Sequence, residues 1–163
     1  MTTHTLYINI GTNSGDRRAM IAQAVAAIVS CPLFAGATVR RSATVESEPW
    51  GFLSENRFLN VGLAVECVID TSPAALHTLL DALQAIERSI SPLPHRNSDG
   101  TYRDRGIDID IIALDTLVYS DERLSIPHPR ASLRDFVMTP LRELSPAVAE
   151  WIEHEQPGNY SKK

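Results

Sequence analysis

Cysteine is scarce in this chain, with two in 163 residues, Cys31 and Cys67. They lie far apart, form no Cys-x-x-Cys pair and close two apolar segments, which argues against a disulfide framework or a sulfur-ligated zinc site and leaves buried free thiols as the expectation. A basic excess is also missing: the formal net charge is −5, so broad affinity for nucleic acid, which depends on neutralising many phosphates, is not expected. Paired exposed aromatics on strands are absent as well, which counts against an RNA-binding module. No uninterrupted apolar run is long enough to span a bilayer, and Met1-Thr2-Thr3-His4 lacks the basic start and apolar stretch of a signal peptide. Repeats, low-complexity tracts and interdomain linkers are lacking too. The expectation is one soluble, cytoplasmic domain over residues 1–163, with a frayed tail at 155–163.

What is present concentrates in Arg105-Gly106-Ile107-Asp108-Ile109-Asp110-Ile111-Ile112. A strand alternates its side chains, so Asp108 and Asp110 share one face while Ile107, Ile109 and Ile111 point the other way. Two carboxylates side by side on a half-buried strand repel unless a hard cation sits between them, and Mg²⁺ binds through one or two carboxylates plus substrate phosphates. An edge strand that shows its acids to water is the other reading.

Around that strand, residues 6–10 read as a strand that ends in the turn Gly11-Thr12-Asn13-Ser14-Gly15-Asp16, and Met20, Ile21, Ala24, Val25 and Ile28 mark the helix that follows. Residues 39–45 and 58–67 read as strands flanking a polar loop, 46–57, that carries Pro49-Trp50-Gly51. Thr71-Ser72-Pro73 starts a helix whose stripe runs from Leu76 to Ile90. A long loop, 91–104, leads into the acidic strand. Beyond that strand a hairpin partner at 116–119, the extended Ile126-Pro127-His128-Pro129 and a helix at 132–144 are expected. The order strand, helix, strand, strand, helix, strand matches an α+β, ferredoxin-like antiparallel sheet with helices packed on it and further elements appended.

Phe58 and Asn60 share a strand face, an aromatic wall beside an amide that donates and accepts, while Leu59, Val61, Leu63 and Val65 form the core side. Gln84 and Glu87 are neighbours on the polar face of the long helix, which is solvated by default. His128 is fixed between two prolines, and Arg130 and Arg134 follow. Such guanidinium and imidazolium groups suit phosphates, although a solvated basic turn has the same composition.

Taken in order, Gly11-Thr12-Asn13, Glu46-Ser47 with Pro49-Trp50-Gly51, Phe58-Leu59-Asn60, Gln84 with Ile86-Glu87, Arg105 with Asp108-Ile109-Asp110, and Pro127-His128-Pro129-Arg130 leading to Arg134 and Phe136 resemble the 6-hydroxymethyl-7,8-dihydropterin pyrophosphokinase family over about 6–146. The resemblance implies transfer of a pyrophosphoryl group from ATP to a pterin alcohol, with AMP as the second product. It also implies that Asp108 and Asp110 bind two Mg²⁺ ions, that Arg105, His128 and Arg134 neutralise phosphates, and that Gln84, Glu87 and Ile111 face ATP. Ser47, Trp50, Phe58, Asn60, Tyr102 and Phe136 would form the pterin pocket. Neither nucleic acid, membrane nor an obligate protein partner is implied.

The chain departs from the family where the long helix ends. A Gly-Arg-x-Arg segment is usual there, and this sequence has Ser91-Pro92-Leu93-Pro94-His95-Arg96. Tyr102 stands for a usual tryptophan, and Glu48 for a common proline. Arg96 and Arg103 are the candidates to bring positive charge back on a reshaped lid, and the altered lid motivates an alternative, a paralogue that binds pterin or ATP without turnover.

Overall fold

A computed structural model describes residues 2–13, 15–48, 57–91 and 106–156. The chain runs β1 (Thr2–Thr12), α1 (Arg17–Val29), β2 (Thr38–Arg41), β3 (Val45–Ser47), β4 (Phe58–Ile69), α2 (Pro73–Ile90), β5 (Asp108–Leu114), β6 (Tyr119–Ser120), β7 (Ser125–Ile126), α3 (Asp135–Leu144) and α4 (Pro146–Glu155). The main sheet is antiparallel, ordered β2-β4-β1-β5, with β3 also on β4. This is the ferredoxin-like order expected from the element sequence.

Helix starts follow local chemistry. The Asp16 carboxylate accepts from Ala19 N at 3.1 Å and caps α1, and the Ser72 hydroxyl accepts from Ala75 N at 3.2 Å with Pro73 in the first turn of α2. Both helices cover one face of the sheet, where Leu6, Ile8, Ile10, Val61, Leu63 and Ile109 meet Ile21, Ile28, Leu76 and Leu83. Burying each such side chain stabilises the fold by roughly 1.5–3 kcal/mol. Helices α3 and α4 cover part of the opposite face through Tyr7, Ala64, Ile112, Val137, Met138 and Ile152. A Cβ on Gly62 would stand 2.9 Å from Pro140 Cβ, so glycine is what lets α3 lie against β4. Beyond α3, this face carries Gly11, Asn60, Asp108 and Asp110.

Several expectations need correction. The strand expected at 39–45 is two short ones, with β3 taking residues from the expected loop. The stretch 116–119 does not pair with β5; β6 pairs with β7 instead, closing a small hairpin at 119–126. The helix expected at 132–144 begins at Asp135, after a single 3₁₀ turn, because Arg134 has extended backbone (φ −119°, ψ 103°). Arg130 and Arg134 therefore flank a turn and do not share a helix face. Glu155, expected in the tail, ends α4. Among the described residues no helix is long and apolar enough to cross a membrane, and Cys31 and Cys67 are free thiols.

Candidate active site

Strand pairing assembles the site. Gly11 lies opposite Asp108 on one side and Asn60 on the other, and Asn9 lies opposite Asp110 and Gly62. Opposed residues in an antiparallel sheet share a face, so the acids of β5 and the amide of β4 flank β1, about 10 Å apart across two strand spacings. Asp108 and Asp110 are half-buried. Ile109 and Ile111 are buried on the other face, as the alternation requires.

The acids open into a cleft of about 400 Å³, lined also by Gln84, Glu87, Ile111 and His128. That size falls within the roughly 300–1,000 Å³ of small-molecule pockets. Glu87 does more than line it, because its Oε2 accepts from Ile109 N at 2.8 Å. The carboxylate thereby joins α2 to the backbone between the two aspartates. The far wall is the β6–β7 hairpin, whose Asp121, Arg123 and Ser125 were not signalled by the sequence. Two-residue strands are too short to show a period. Asp121 ties the hairpin down: it accepts from the Tyr119 hydroxyl, from Arg123 N at 2.8 Å and from Leu124 N at 2.9 Å, and it meets His77 Nε2 at 2.5 Å. Those bonds, the tyrosine's first, hold its carboxyl well below the usual carboxylate range. Arg123 reaches back to Asp81 on α2 at 2.6 Å.

His128 was expected to offer positive charge. Burial, and then the charges of Arg134 and Arg130, push its pKa down from 6.5 to about 4. At neutral pH it is therefore an uncharged imidazole in the ligand-free protein. Its Nδ1 accepts from Arg130 N at 3.2 Å, which leaves the ring proton on Nε2. The backbone here is fixed as well, because His128 N donates to Ile112 O at 2.8 Å.

The amide wall is held by hydrogen bonds. Asn60, 2% exposed, donates through Nδ2 to Val45 O at 3.1 Å and to Ser47 Oγ at 2.8 Å, which joins β3 to β4 and brings Ser47 to Asn60 with buried Phe58 beside them. Phe136 opens α3, and the Arg134 guanidinium carbon lies 5.7 Å from its ring centroid, a cation–π contact that unites an expected phosphate ligand with an expected ring wall. Trp50, Arg96, Tyr102, Arg103 and Arg105 lie outside the described residues.

Among the described residues no group of three or more His, Cys, Asp or Glu side chains is arranged to hold a metal on its own. Asp108 and Asp110 supply two carboxylates on one face of a cleft, a set that suits Mg²⁺ when substrate phosphates complete its octahedron.

A ferredoxin-like sheet with an acidic cleft on one side of its central strand and an amide–aromatic wall on the other defines an α+β protein with a candidate small-molecule site along its sheet. Residues 7–146 match the family model described as 7,8-dihydro-6-hydroxymethylpterin-pyrophosphokinase, and the chain belongs to that family. It is 36% identical over 154 residues to the 2-amino-4-hydroxy-6-hydroxymethyldihydropteridine pyrophosphokinase of Porphyromonas gingivalis, covering 93% of this chain and 95% of the relative. The protein of that name from Methylorubrum extorquens is 35% identical, covering 86% and 82%. In fold the chain is similar to a Plasmodium falciparum HPPK-DHPS crystallised with pteroate, with a TM-score of 0.55 at 12% identity over 86% of this chain. This chain spans 39% of that longer one.

Proposed function

We propose that this chain transfers the pyrophosphoryl group of ATP to 6-hydroxymethyl-7,8-dihydropterin, giving the pterin diphosphate and AMP in folate biosynthesis. The observation that carries this reading is the row Asp108–Gly11–Asn60, which sets the acidic cleft and the amide wall one strand apart on either side of β1. A pterin edge held at Asn60 leaves its hydroxymethyl group directed along the row toward phosphates in the cleft. The alcohol oxygen forms a bond to the β-phosphorus, the bond from that phosphorus to the bridging oxygen of AMP breaks, and the alcohol proton leaves to solvent.

Asp108 and Asp110 are the protein ligands of two Mg²⁺ ions in this reading. Bound Mg²⁺ neutralises phosphate charge and lowers the pKa of the attacking hydroxyl. The chain's own groups supply position and further charge. Glu87 fixes the strand that bears the aspartates, and Gln84 and Ile111 line the nucleotide side. Arg134 meets phosphate, and His128 donates Nε2–H to it. Ser47 and Asn60 read the pterin edge, and Phe58 and Phe136 stack on its ring. Trp50 and Tyr102 in the pocket, Arg105 on the phosphates, and Arg96 and Arg103 on the lid complete the site by family resemblance. The protein works as a single cytoplasmic domain on its two small-molecule substrates, in a compartment where its free thiols stay reduced.

The test is AMP production from ATP and the reduced hydroxymethylpterin under steady-state conditions. Asp108→Ala or Asp110→Ala should lower kcat by about 100-fold or more while circular dichroism keeps the wild-type fold. Wild-type protein that binds both substrates but forms no AMP refutes the transferase reading, and near wild-type turnover by either variant at saturating Mg²⁺ refutes the metal assignment.

A further inference from the structure

Phe136 stands in the first turn of α3, and four residues later the helix contains Pro140. In an α-helix the N–H of residue 140 would bond the carbonyl of residue 136, but proline has no N–H to give. The Phe136 carbonyl is met instead from the sheet: Asn9, on β1, donates Nδ2–H to it at 3.0 Å. Asn9 is 5% exposed, on a strand otherwise apolar at this level, and it shares the wall of a void of about 10 Å³ under α3 with Tyr7, Gly62, Val137 and Pro140. A buried amide in such surroundings is costly unless bonded, so it holds its partner firmly.

We infer that Asn9 is a positioning residue for the pterin-stacking ring. Its amide replaces the hydrogen bond that Pro140 cannot make and fixes the first turn of α3, and so Phe136, to the central strand. That strand also pairs Asn9 with Asp110, so the ring wall and the acidic strand share one anchor. The inference rests on the reading of Phe136 as a pterin contact.

The experiment measures pterin affinity by calorimetry in the presence of a saturating non-hydrolysable ATP analogue, and analogue affinity separately. Asn9→Leu removes the donor while keeping the branched outline of the side chain. Pterin affinity should fall three- to tenfold, with analogue affinity changed less than twofold. Pro140→Ala restores an N–H at position 140 and keeps the Cβ that meets Gly62, so the double variant Asn9→Leu/Pro140→Ala should return pterin affinity to within twofold of wild type. A merely structural role for Asn9 would not produce that rescue. If Asn9→Leu does not fold, Asn9→Ala carries the same comparison. Equal losses for both ligands, no loss, or no recovery in the double variant overturns the inference. Phe136→Ala separates the two levels: if it leaves pterin affinity intact, the reading of the ring fails; if it weakens pterin while Asn9→Leu does not, the inference about Asn9 alone fails.

Discussion

Asn60 has both amide hydrogens committed, to Val45 O at 3.1 Å and Ser47 Oγ at 2.8 Å, so the atom it can turn to a ligand is Oδ1, an acceptor for a ring N–H. A Cβ on Gly11 would lie 2.8 Å from that oxygen. Glycine at 11 thus leaves Oδ1 its place, and Gly11→Ala should weaken pterin binding by about tenfold, the equivalent of one lost hydrogen bond of roughly 1.4 kcal/mol. Titration calorimetry with pterin and with an ATP analogue checks this, since the analogue should bind as before. The shared face of Phe58 and Asn60, and that of Asp108 and Asp110, were legible because a strand has a period of two and their neighbours are apolar. Asn9 was not legible: a single asparagine within a strand carries no sign of the carbonyl it meets 127 residues away.

At the scale of elements, α1, α2, β1, β4 and β5 were readable because each buries a long periodic stripe, whereas β6, β7 and the turn before α3 are too short to have one. Helix α4 was not expected from the sequence, although Ser145 caps it and Pro146 stands in its first turn with Val148, Ala149 and Ile152 buried, and its contribution to the site could not be read either. That contribution comes from Gln156, just past its end. Gln156 Nε2 donates to His128 O at 2.8 Å, and Gln156 Oε1 accepts from Ser132 N at 3.1 Å. One amide thereby bridges the turn that carries His128. A carboxylate can accept from Ser132 N but not donate to the His128 carbonyl, so Gln156→Glu breaks half of the bridge. Its expected effect is a severalfold higher KM for ATP with the pterin KM within twofold. Ser145→Ala, which loosens the opposite end of α4 by about 1 kcal/mol, should leave both KM values unchanged.

For the molecule as a whole, the cleft joins α2, β5, the hairpin and the 128–129 turn, so the state of one half-buried ring bears on the stability of all of them. His128 has a folded pKa of about 4 against 6.5 when exposed. Between those values the unfolded chain holds a proton that the folded chain does not, so stability rises with pH through this window and is lost as pH falls from 6.5 toward 4. Each pKa unit is worth about 1.4 kcal/mol, and with screening of the half-buried ring and its arginine neighbours the loss should be on the order of 2 kcal/mol. His128→Asn removes the titrating group while leaving a side chain that can accept from Arg130 N. Urea unfolding of wild type and variant between pH 7 and 4 should therefore show a shallower decline in the variant. Parallel declines would mean that His128 is not held neutral. Phosphate reverses the balance of charge around the ring: its negative charge opposes Arg130 and Arg134, favours the protonated imidazole, and so raises the pKa on nucleotide binding. At pH 5.5, relative to pH 7, saturating ATP analogue should thus add more to the unfolding free energy of wild type than to that of His128→Asn, and equal gains in the two would place the imidazole away from the phosphates.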